Sequence, residues 1–295
     1  MTQAFQQWMK HIQQECETAL SHFLPAEQSV PARLHEAMRY ATLDGGKRVR
    51  PLLVHAAGQL FSASPSVLAR AAAATEMIHA YSLVHDDMPC MDDDALRRGK
   101  PTVHVRYGEA TALLVGDALQ AQAFQVLAEA DAEPARLLPM LALLAQAAGS
   151  TGMCGGQAID LDSVGLTLTR EQLEQMHKLK TGALLRASVL LGAMAGKTLS
   201  AAELAALDDY AAAIGLAFQV VDDVLDATVD SATLGKTAGK DAADNKPTYV
   251  SLLGLDASRA LANELCEQAH QSLLMFGDKA ERLHDLADLI VHRQA

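Results

Sequence analysis

Apolar residues recur along most of the chain three or four positions apart, the spacing that places side chains on one face of a helix. Residues 52–60 and 184–192 are two examples. Alternation with a period of two, which would indicate strands, is hard to find. Alanine and leucine dominate the composition, so helix propensity is high nearly everywhere. The pattern predicts an all-α protein whose alanine-rich helices approach one another closely.

Short clusters of Gly, Pro or polar residues separate the apolar segments. Ser200 and Glu203 have the spacing of a capping box, which predicts that a helix begins there. None of the clusters is long enough to be a linker between domains, so residues 1–295 are predicted to form one domain. The predicted breaks are 44–46, 62–66, Pro89, 98–101, 131–134, Gly155–Gly156 and Leu199–Ser200.

The longest uncharged run, residues 137–159, is the one candidate for a membrane span. Pro139 interrupts its first half and glycines fill its second half. We therefore predict a buried helix that enters a glycine-rich segment, and no membrane span. The N-terminus carries glutamines and acids where a signal peptide would have a basic and then an apolar run.

The charge balance limits the kinds of molecule that the protein is expected to bind. With 36 acidic and 24 basic residues among 295, the net charge is -12, which argues against nucleic acid. Anionic small molecules remain possible, because a bound divalent metal reverses the local charge. The four cysteines are widely separated and form no CxxC pair. They predict neither a disulfide framework nor a zinc site, and they favour the cytoplasm.

Two clusters of aspartates each follow an apolar helical segment. Negative charge near a helix C-terminus is unfavourable, and adjacent carboxylates repel one another, so we expect a cation at both clusters. Asp222 and Asp226 are four residues apart and share a helix face. Pro89 should end or kink the first helix and let Asp92 turn back toward Asp86. The clusters are Asp86, Asp87 and Asp92–Asp94, and Asp222, Asp223 and Asp226.

Carboxylate oxygens with no neighbouring His or Cys suit Mg²⁺, held together with phosphate oxygens of a substrate. Solvated acidic helix ends are the alternative interpretation. Basic residues interleaved with the two clusters favour binding of two anions, one through metal and one directly. For each basic residue taken singly, an ordinary surface position is the more common interpretation. These residues are Lys47, Arg50, Arg97, Arg98, Lys180, Lys236 and Lys246.

From about Tyr40 to its end, the sequence resembles the short-chain trans-prenyl diphosphate synthases, in particular the bacterial farnesyl type. Six ordered motifs carry the resemblance, and none of the family's motifs is missing. The first 40 residues match less clearly. The motifs are GGKRVRP (45–51), HAYSLVHDDMPCMDDDALRRGKPTVH (79–104), GMCGGQAIDLD (152–162), HKLKTGALL (177–185), GLAFQVVDDVLD (215–226), and TLGK with DNKPTY (233–249).

The resemblance implies the all-α isoprenoid synthase bundle, with a central cavity and three Mg²⁺ ions per active site. It assigns two ions to Asp86 and Asp92 with Asp87 supporting, and the third to Asp222 with Asp226 and Asp223. It assigns the allylic diphosphate to Arg97, Lys180 and Lys236, with Lys246 and Gln219 close by. It assigns isopentenyl diphosphate to Lys47, Arg50, His79 and Arg98. Thr181 and Gln219 would face the allylic cation, and Gln157 and Asp160 would line the site.

In such an enzyme, Mg²⁺ and basic residues stabilise the departing diphosphate, and isopentenyl diphosphate attacks the allylic cation that remains. The released diphosphate is the expected base. The polar segment 230–246 would close over the substrates and exclude water. The resemblance also implies a homodimer. A core or capping role is the alternative for His79.

Product length is expected to depend on the residues one turn before Asp86. The family resemblance implies that bulk at Tyr81, beside the small Ser82, forms the floor of the product pocket and stops growth at fifteen carbons. A simple core role for Tyr81 is the alternative. Geranyl or geranylgeranyl products remain open, as do a terpene cyclase and a non-catalytic partner subunit. The two intact clusters and the second set of basic residues argue against the last two.

Overall fold

Helices form nearly all of the regular structure in the computed structural model, which describes residues 1–228 and 247–293. Two short strands, β1 (Leu96–Arg97) and β2 (Lys100–Pro101), pair as an antiparallel hairpin. The helices are α1 (Gln3–Phe23), α2 (Ala32–Thr42), α3 (Val49–Leu60), α4 (Pro65–Asp86), α5 (Val103–Tyr107), α6 (Glu109–Ala128), α7 (Pro134–Ala148), α8 (Met153–Asp162), α9 (Arg170–His177), a π-helix (Lys178–Gly182), α10 (Ala183–Gly196), α11 (Ala201–Thr228), α12 (Tyr249–Leu253), α13 (Leu255–Ser272), a 3₁₀ helix (Leu274–Ala280) and α14 (Glu281–His292).

Two apolar clusters make up the core, and helices α3 and α10 contribute to both. One cluster joins α3, α10 and α11 to the C-terminal helices, and the other surrounds α4 and α6. Small residues let these helices meet closely: a Cβ at Gly192 of α10 would lie 2.1 Å from the carbonyl oxygen of Val54 in α3. The predicted all-α fold, with close packing of small-residue helices, is confirmed.

Most predicted breaks coincide with helix ends, and one prediction is wrong. The Ser200–Glu203 capping box is present, since Glu203 N donates to Ser200 Oγ at 3.3 Å and Ser200 N donates to Glu203 Oε2 at 2.8 Å. Gly155 and Gly156, however, lie inside α8. Gly156 serves close packing there, because a Cβ on it would lie 2.0 Å from the backbone nitrogen of Lys180. The chain breaks earlier, at residues 149–152.

Residues 137–159 are predicted as a buried helix that enters a glycine-rich segment, and the burial needs correction. The glycine-containing residues 149–152 do separate α7 from α8, but α7 is only partly buried, with Leu138 66% exposed. By length and composition alone, Pro134–Asp162 and Ala201–Thr228 could each cross a membrane. Such stretches are weak evidence for a membrane, because core helices pass the same test, and more than half of the second stretch is buried.

Candidate active site

The first aspartate cluster lies where α4 ends. Asp86 is the last residue of α4, and the chain beyond it folds back, so that the backbone amide of Asp92 donates to the carbonyl oxygen of Asp86 at 2.8 Å. Burial raises the pKa of Asp86 to about 6; nearby Lys180 opposes this rise and Asp92 adds to it. As predicted from Pro89, the helix stops before the proline and Asp92 returns to Asp86. The crowded carboxylates favour a bound cation.

Arg97, which lies on the hairpin that follows this cluster, neutralises part of its negative charge. Arg97 Nε donates to Asp87 Oδ1 at 3.0 Å, and Arg97 also lies 3.6 Å from Asp94. The two turn residues of the hairpin, Arg98 and Gly99, both have positive φ, as two-residue hairpins require. This turn directs Arg97 toward the aspartates and Arg98 toward the glycine pair before α3.

A cleft of about 590 Å³ opens beside this hairpin. Gly45 and Gly46 allow Arg98 to approach, since a Cβ on Gly46 would lie 2.5 Å from Arg98 Nη2 and the φ of Gly46 is +86°. Four basic residues line this cleft, and they are the four that the family resemblance assigns together to isopentenyl diphosphate. They are Lys47, Arg50, His79 and Arg98.

The charges in the cleft repel one another. Burial, with a contribution from Arg98, lowers the pKa of Arg50 to about 10, while Glu76 and Asp222 oppose the shift. The buried Nε of Arg50 has no hydrogen-bond partner among the described residues. Burial, followed by Arg50 and Arg98, lowers the pKa of His79 well below its usual value, so this ring is neutral. The arrangement suits an anion with many oxygens, such as a diphosphate.

Arg48 is a buried residue of this region that sequence reasoning missed. Its Nη1 donates to Glu76 at 2.6 Å, its Nη2 donates to the carbonyl oxygen of Thr42 at 2.7 Å, and Glu17 of α1 accepts from Nε at 2.7 Å. Burial acts to lower the pKa of Arg48, but Glu76 and Glu17 outweigh it and raise that pKa. Arg48 thereby fixes the loop that carries its neighbours Lys47 and Arg50.

A π-helix, Lys178–Gly182, presents the motif residues Lys180 and Thr181. Such segments are rare and occur often at functional sites. Lys180 Nζ donates to Asp160 Oδ2 at 2.5 Å and lies near enough to Asp86 to lower its pKa. Lys180 therefore lies between α8 and the end of α4. The sequence pointed to Lys180 and Thr181 but carried no sign of the π-helix.

The second aspartate cluster lies near the C-terminal end of α11, where Asp222 and Asp226 are one turn apart, as predicted. Thr181 Oγ1 donates to Gln219 Oε1 at 3.3 Å, and Gln219 Nε2 donates to Asp223 Oδ1 at 2.9 Å. The amide of Tyr249, which begins α12, donates to Asp223 Oδ2 at 2.8 Å. Both oxygens of Asp223 thus accept hydrogen bonds from neighbouring groups.

Arg293 is a second residue that the sequence did not reveal. It follows α14 directly, its Nη2 donates to Asp222 Oδ1 at 2.5 Å, and its guanidinium lies 3.9 Å from the ring centre of Phe218. Burial lowers the pKa of Arg293, and Asp222 opposes that shift. Asp222 also acts on the pKa of Lys47 and of Arg50. Asp222 of the second cluster therefore lies close enough to the basic residues around α3 to act on their charge.

Three of the remaining predicted residues lie on α4 and α8, and the others lie outside the described residues. Tyr81 is buried, and its hydroxyl lies 3.5 Å from Cys154 Sγ in α8. Ser82 Oγ donates to the carbonyl oxygen of His79 at 2.9 Å, within its own helix. The buried Nε2 of Gln157 has no hydrogen-bond partner among the described residues. Lys236 and Lys246, and the predicted closing segment 230–246, lie outside the described residues.

Comparison with known proteins agrees with this geometry. Residues 31–281 match the model of the polyprenyl synthetase family. The chain belongs to that family and is a chain-elongating prenyltransferase. Members of the family act on prenyl diphosphates and use Mg²⁺.

Several relatives are similar over most of their length. A farnesyl diphosphate synthase of Escherichia coli is 47% identical over 98% of this chain and 99% of its own. A chloroplastic heterodimeric geranylgeranyl pyrophosphate synthase large subunit of Arabidopsis thaliana is 48% identical over 94% of this chain and 76% of its own. The structure of an FPP/GFPP synthase from Zymomonas mobilis superposes with a TM-score of 0.88, at 41% identity, covering 99% of this chain and 100% of that one.

Proposed function

We propose that this enzyme condenses isopentenyl diphosphate first with dimethylallyl diphosphate and then with geranyl diphosphate, and releases (2E,6E)-farnesyl diphosphate. Overall identity does not decide product length, because a farnesyl synthase and a geranylgeranyl synthase subunit are about equally similar to the chain. The observation that carries the proposal is the buried Tyr81, which lies five residues before Asp86 on α4 and next to the small Ser82.

We propose Asp86, Asp92 and Asp222 as the principal Mg²⁺ ligands, with Asp87, Asp223 and Asp226 supporting them. The donor set fits the ion, because it consists of carboxylates and because burial, with Asp92, raises the pKa of Asp86 although Lys180 opposes the rise. When bound, Mg²⁺ supplies positive charge that stabilises the leaving diphosphate. Three ions per site remain a prediction.

The proposed allylic diphosphate site combines Arg97 and Lys180 with Lys236 and Lys246. The support among the described residues is charge: Arg97 and Lys180 both act on Asp86, where the metal-bound diphosphate would lie. Asp160 accepts a hydrogen bond from Lys180 and so holds the ammonium group in place. Gln157, with its unpartnered amide on the same helix α8, is proposed to line the site.

The proposed site for isopentenyl diphosphate is the cleft of Lys47, Arg50, His79 and Arg98. The support is the mutual repulsion of these residues, which a bound diphosphate would relieve, and the open Nε of Arg50. His79 would donate a hydrogen bond as a neutral ring. Holding the second substrate at a site separate from the allylic diphosphate positions the π-bond for attack.

Loss of the diphosphate leaves an allylic cation, which needs dipoles and protection from water. Thr181 and Gln219 already hydrogen-bond to each other, so their oxygens are fixed in position to face positive charge. The double bond of isopentenyl diphosphate then forms the new carbon–carbon bond. The released diphosphate takes the proton that is lost. We propose that segment 230–246 excludes water during these steps, and that the enzyme is a single domain, because both apolar clusters share α3 and α10.

A homodimer in the cytoplasm is the state that we propose for the enzyme. Apolar side chains stay exposed on α6 and α7, two helices that pack together: Leu113 is 49% exposed, Leu114 54% and Leu138 66%. A second copy covering them would remove apolar surface from water. The four cysteines are free thiols, as suits a reducing compartment.

Product analysis tests the proposal. The purified enzyme would be incubated with Mg²⁺, dimethylallyl diphosphate and isopentenyl diphosphate, and the dephosphorylated alcohols separated by length. Farnesol is the expected main product. Geraniol or geranylgeraniol would contradict the role of Tyr81, and a cyclic product or no condensation would contradict the elongating reaction.

Substitutions at the pocket floor sharpen this test. Tyr81→Ala removes the buried ring and is expected to lengthen the main product by at least five carbons. Ser82→Phe adds bulk one turn before Asp86 and is expected to shorten it to ten carbons. Tyr210→Phe, at a fully buried tyrosine of α11 whose hydroxyl donates to Leu283, is a control that should leave product length unchanged. Unchanged fifteen-carbon product from both floor variants would place the floor elsewhere.

A further inference from the structure

We propose a second metal site, for zinc or a similar transition metal, between α13 and α14. Cys266 and His270 lie four residues apart on one face of α13, and His284 and Asp288 lie four residues apart on α14. The helices run antiparallel, so Cys266 meets Asp288 and His270 meets His284. Sequence spacing alone gave no indication of this cluster, because its ligands come from two helices.

Two of the three distances between the ligand atoms match tetrahedral zinc, and the third, a hydrogen bond between His270 Nε2 and Asp288 Oδ1, is shorter than a tetrahedral site requires. Cys266 Sγ lies 3.6 Å from His270 Nε2 and 3.5 Å from Asp288 Oδ1, and the latter two atoms are 2.9 Å apart. In a tetrahedral site, zinc bonds of about 2.3 Å to sulfur and about 2.0 Å to nitrogen place the sulfur and the nitrogen about 3.6 Å apart. The side chains therefore need little movement to share one ion, and water can fill the fourth position.

His284 is placed to orient the imidazole ligand. Its Nδ1 lies 2.6 Å from Nδ1 of His270, and the two rings stack with centroids 4.9 Å apart. Burial and the neighbouring His270 lower the pKa of His284, which favours the neutral ring as a hydrogen-bond acceptor. If His270 donates its Nδ1 proton to His284, its Nε2 lone pair is left for the metal.

The ligand chemistry separates this cluster from the aspartate clusters. A thiolate, an imidazole and a carboxylate form a set that suits Zn²⁺ or Co²⁺, whereas the aspartates offer oxygen alone. Burial, with Asp288, raises the pKa of Cys266 to about 12. Binding therefore breaks the S–H bond, forms the sulfur–metal bond and releases one proton to solvent. A bound ion would join α14 to α13, and α14 leads directly to Arg293, whose guanidinium pairs with Asp222.

Titration of the full chain with Co²⁺ tests the site, because a thiolate bound to Co²⁺ gives a near-ultraviolet charge-transfer band that carboxylate sites lack. We expect one equivalent per chain to produce the band, Cys266→Ser to abolish it, and Asp288→Asn or His270→Asn to weaken binding at least tenfold. His284→Phe should weaken it about 10–100-fold, as loss of an orienting partner does. Cys16→Ser removes another buried free thiol and should leave the band intact.

Thermal unfolding gives a second readout that does not depend on activity. Zn²⁺ should raise the Tm of the native chain by several degrees and leave that of Cys266→Ser unchanged, because only the native chain binds the ion. Absence of the band in the native chain, its survival in Cys266→Ser, or its loss in Cys16→Ser would each overturn the proposal. Circular dichroism verifies folding, and the His270 variant decides the question if Cys266→Ser does not fold.

Discussion

The two aspartate clusters carry similar acids but obtain their countercharges in different ways. The first, at the end of α4, is neutralised from nearby in sequence, with Arg97 only ten residues after Asp87. The second, on α11, is held by groups from the C-terminal part of the chain, namely Tyr249 and Arg293. The direct ion pair of the first cluster is therefore local in sequence, although Lys180 also acts on Asp86, whereas the second cluster depends on how the C-terminal helices dock.

This difference determines how each cluster can be perturbed. Substitutions near the first cluster should act on the chemistry with little effect on packing, since its ion-pair partner Arg97 lies on a short hairpin with a two-residue turn. Substitutions around the second should act through the position of α12 and α14. Variants at matched positions of the two clusters can separate these effects.

The largest expected effect is loss of turnover on neutralising one principal aspartate. Asp86→Asn and Asp222→Asn should each lower kcat by about 10³-fold, because each removes charge that holds Mg²⁺ against the leaving diphosphate. Steady-state kinetics at saturating Mg²⁺ measures both. The control is Asp93→Asn, at an exposed aspartate of the same loop whose positive φ asparagine tolerates. A fall below tenfold at Asp222 would mean that only the first cluster is essential.

Next in size is the removal of a cation from the cleft. Arg98→Ala should raise KM for isopentenyl diphosphate by about 10–100-fold with a smaller change in kcat, because a charge-assisted contact to phosphate is lost. Lys100→Ala, on the same hairpin, is the control. Kinetics with the second substrate varied measures the change. An unchanged KM for isopentenyl diphosphate, with a raised KM for the allylic substrate, would reverse the assignment of the two sites.

Stability should respond most strongly at the buried ion pair beneath the cleft. Arg48→Met leaves the carboxylate of Glu76 buried without its partner, which should lower the free energy of unfolding by about 3–5 kcal/mol. Denaturant titration measures the loss. In the double variant Arg48→Met with Glu76→Leu, most of that loss should be recovered. If the double variant is no more stable than the single one, the pair is not the source of the loss.

The sequence predicts what depends on neighbouring residues, and it misses what depends on docking. Helical spacing and capping residues are local, so the helices and the turn of Asp92 toward Asp86 were predictable. The pairing of Asp222 with Arg293 joins positions 71 residues apart, and no spacing rule connects them. The π-helix at Lys180 was also missed, because no spacing rule distinguishes its sequence from that of an ordinary helix.

A smaller effect is expected on substituting Arg293, the partner of Asp222 that is distant in sequence. Arg293 competes with Mg²⁺ for the carboxylate of Asp222, which is 40% exposed in its side chain. Arg293→Ala should therefore lower the Mg²⁺ concentration at half-maximal activity about two- to fivefold, the size of a partly exposed ion pair. Arg282→Ala, which removes a pair with Asp285 within α14, is the matched control. A higher Mg²⁺ requirement in Arg293→Ala would show that the arginine assists the closed site.

The smallest expected effect concerns His79, whose ring is neutral because burial and two arginines lower its pKa. A group with a lowered pKa stays deprotonated above that value, so it should contribute no ionisation to kcat/KM between about pH 6 and 8. His79→Gln keeps a neutral donor and should raise KM for isopentenyl diphosphate less than about fivefold, whereas His79→Ala should raise it further. Measuring kcat/KM against pH for both variants tests this, because an ionisation near pH 6.5 that disappears with the histidine would show that the His79 ring takes up a proton in the free enzyme and would contradict the neutral ring.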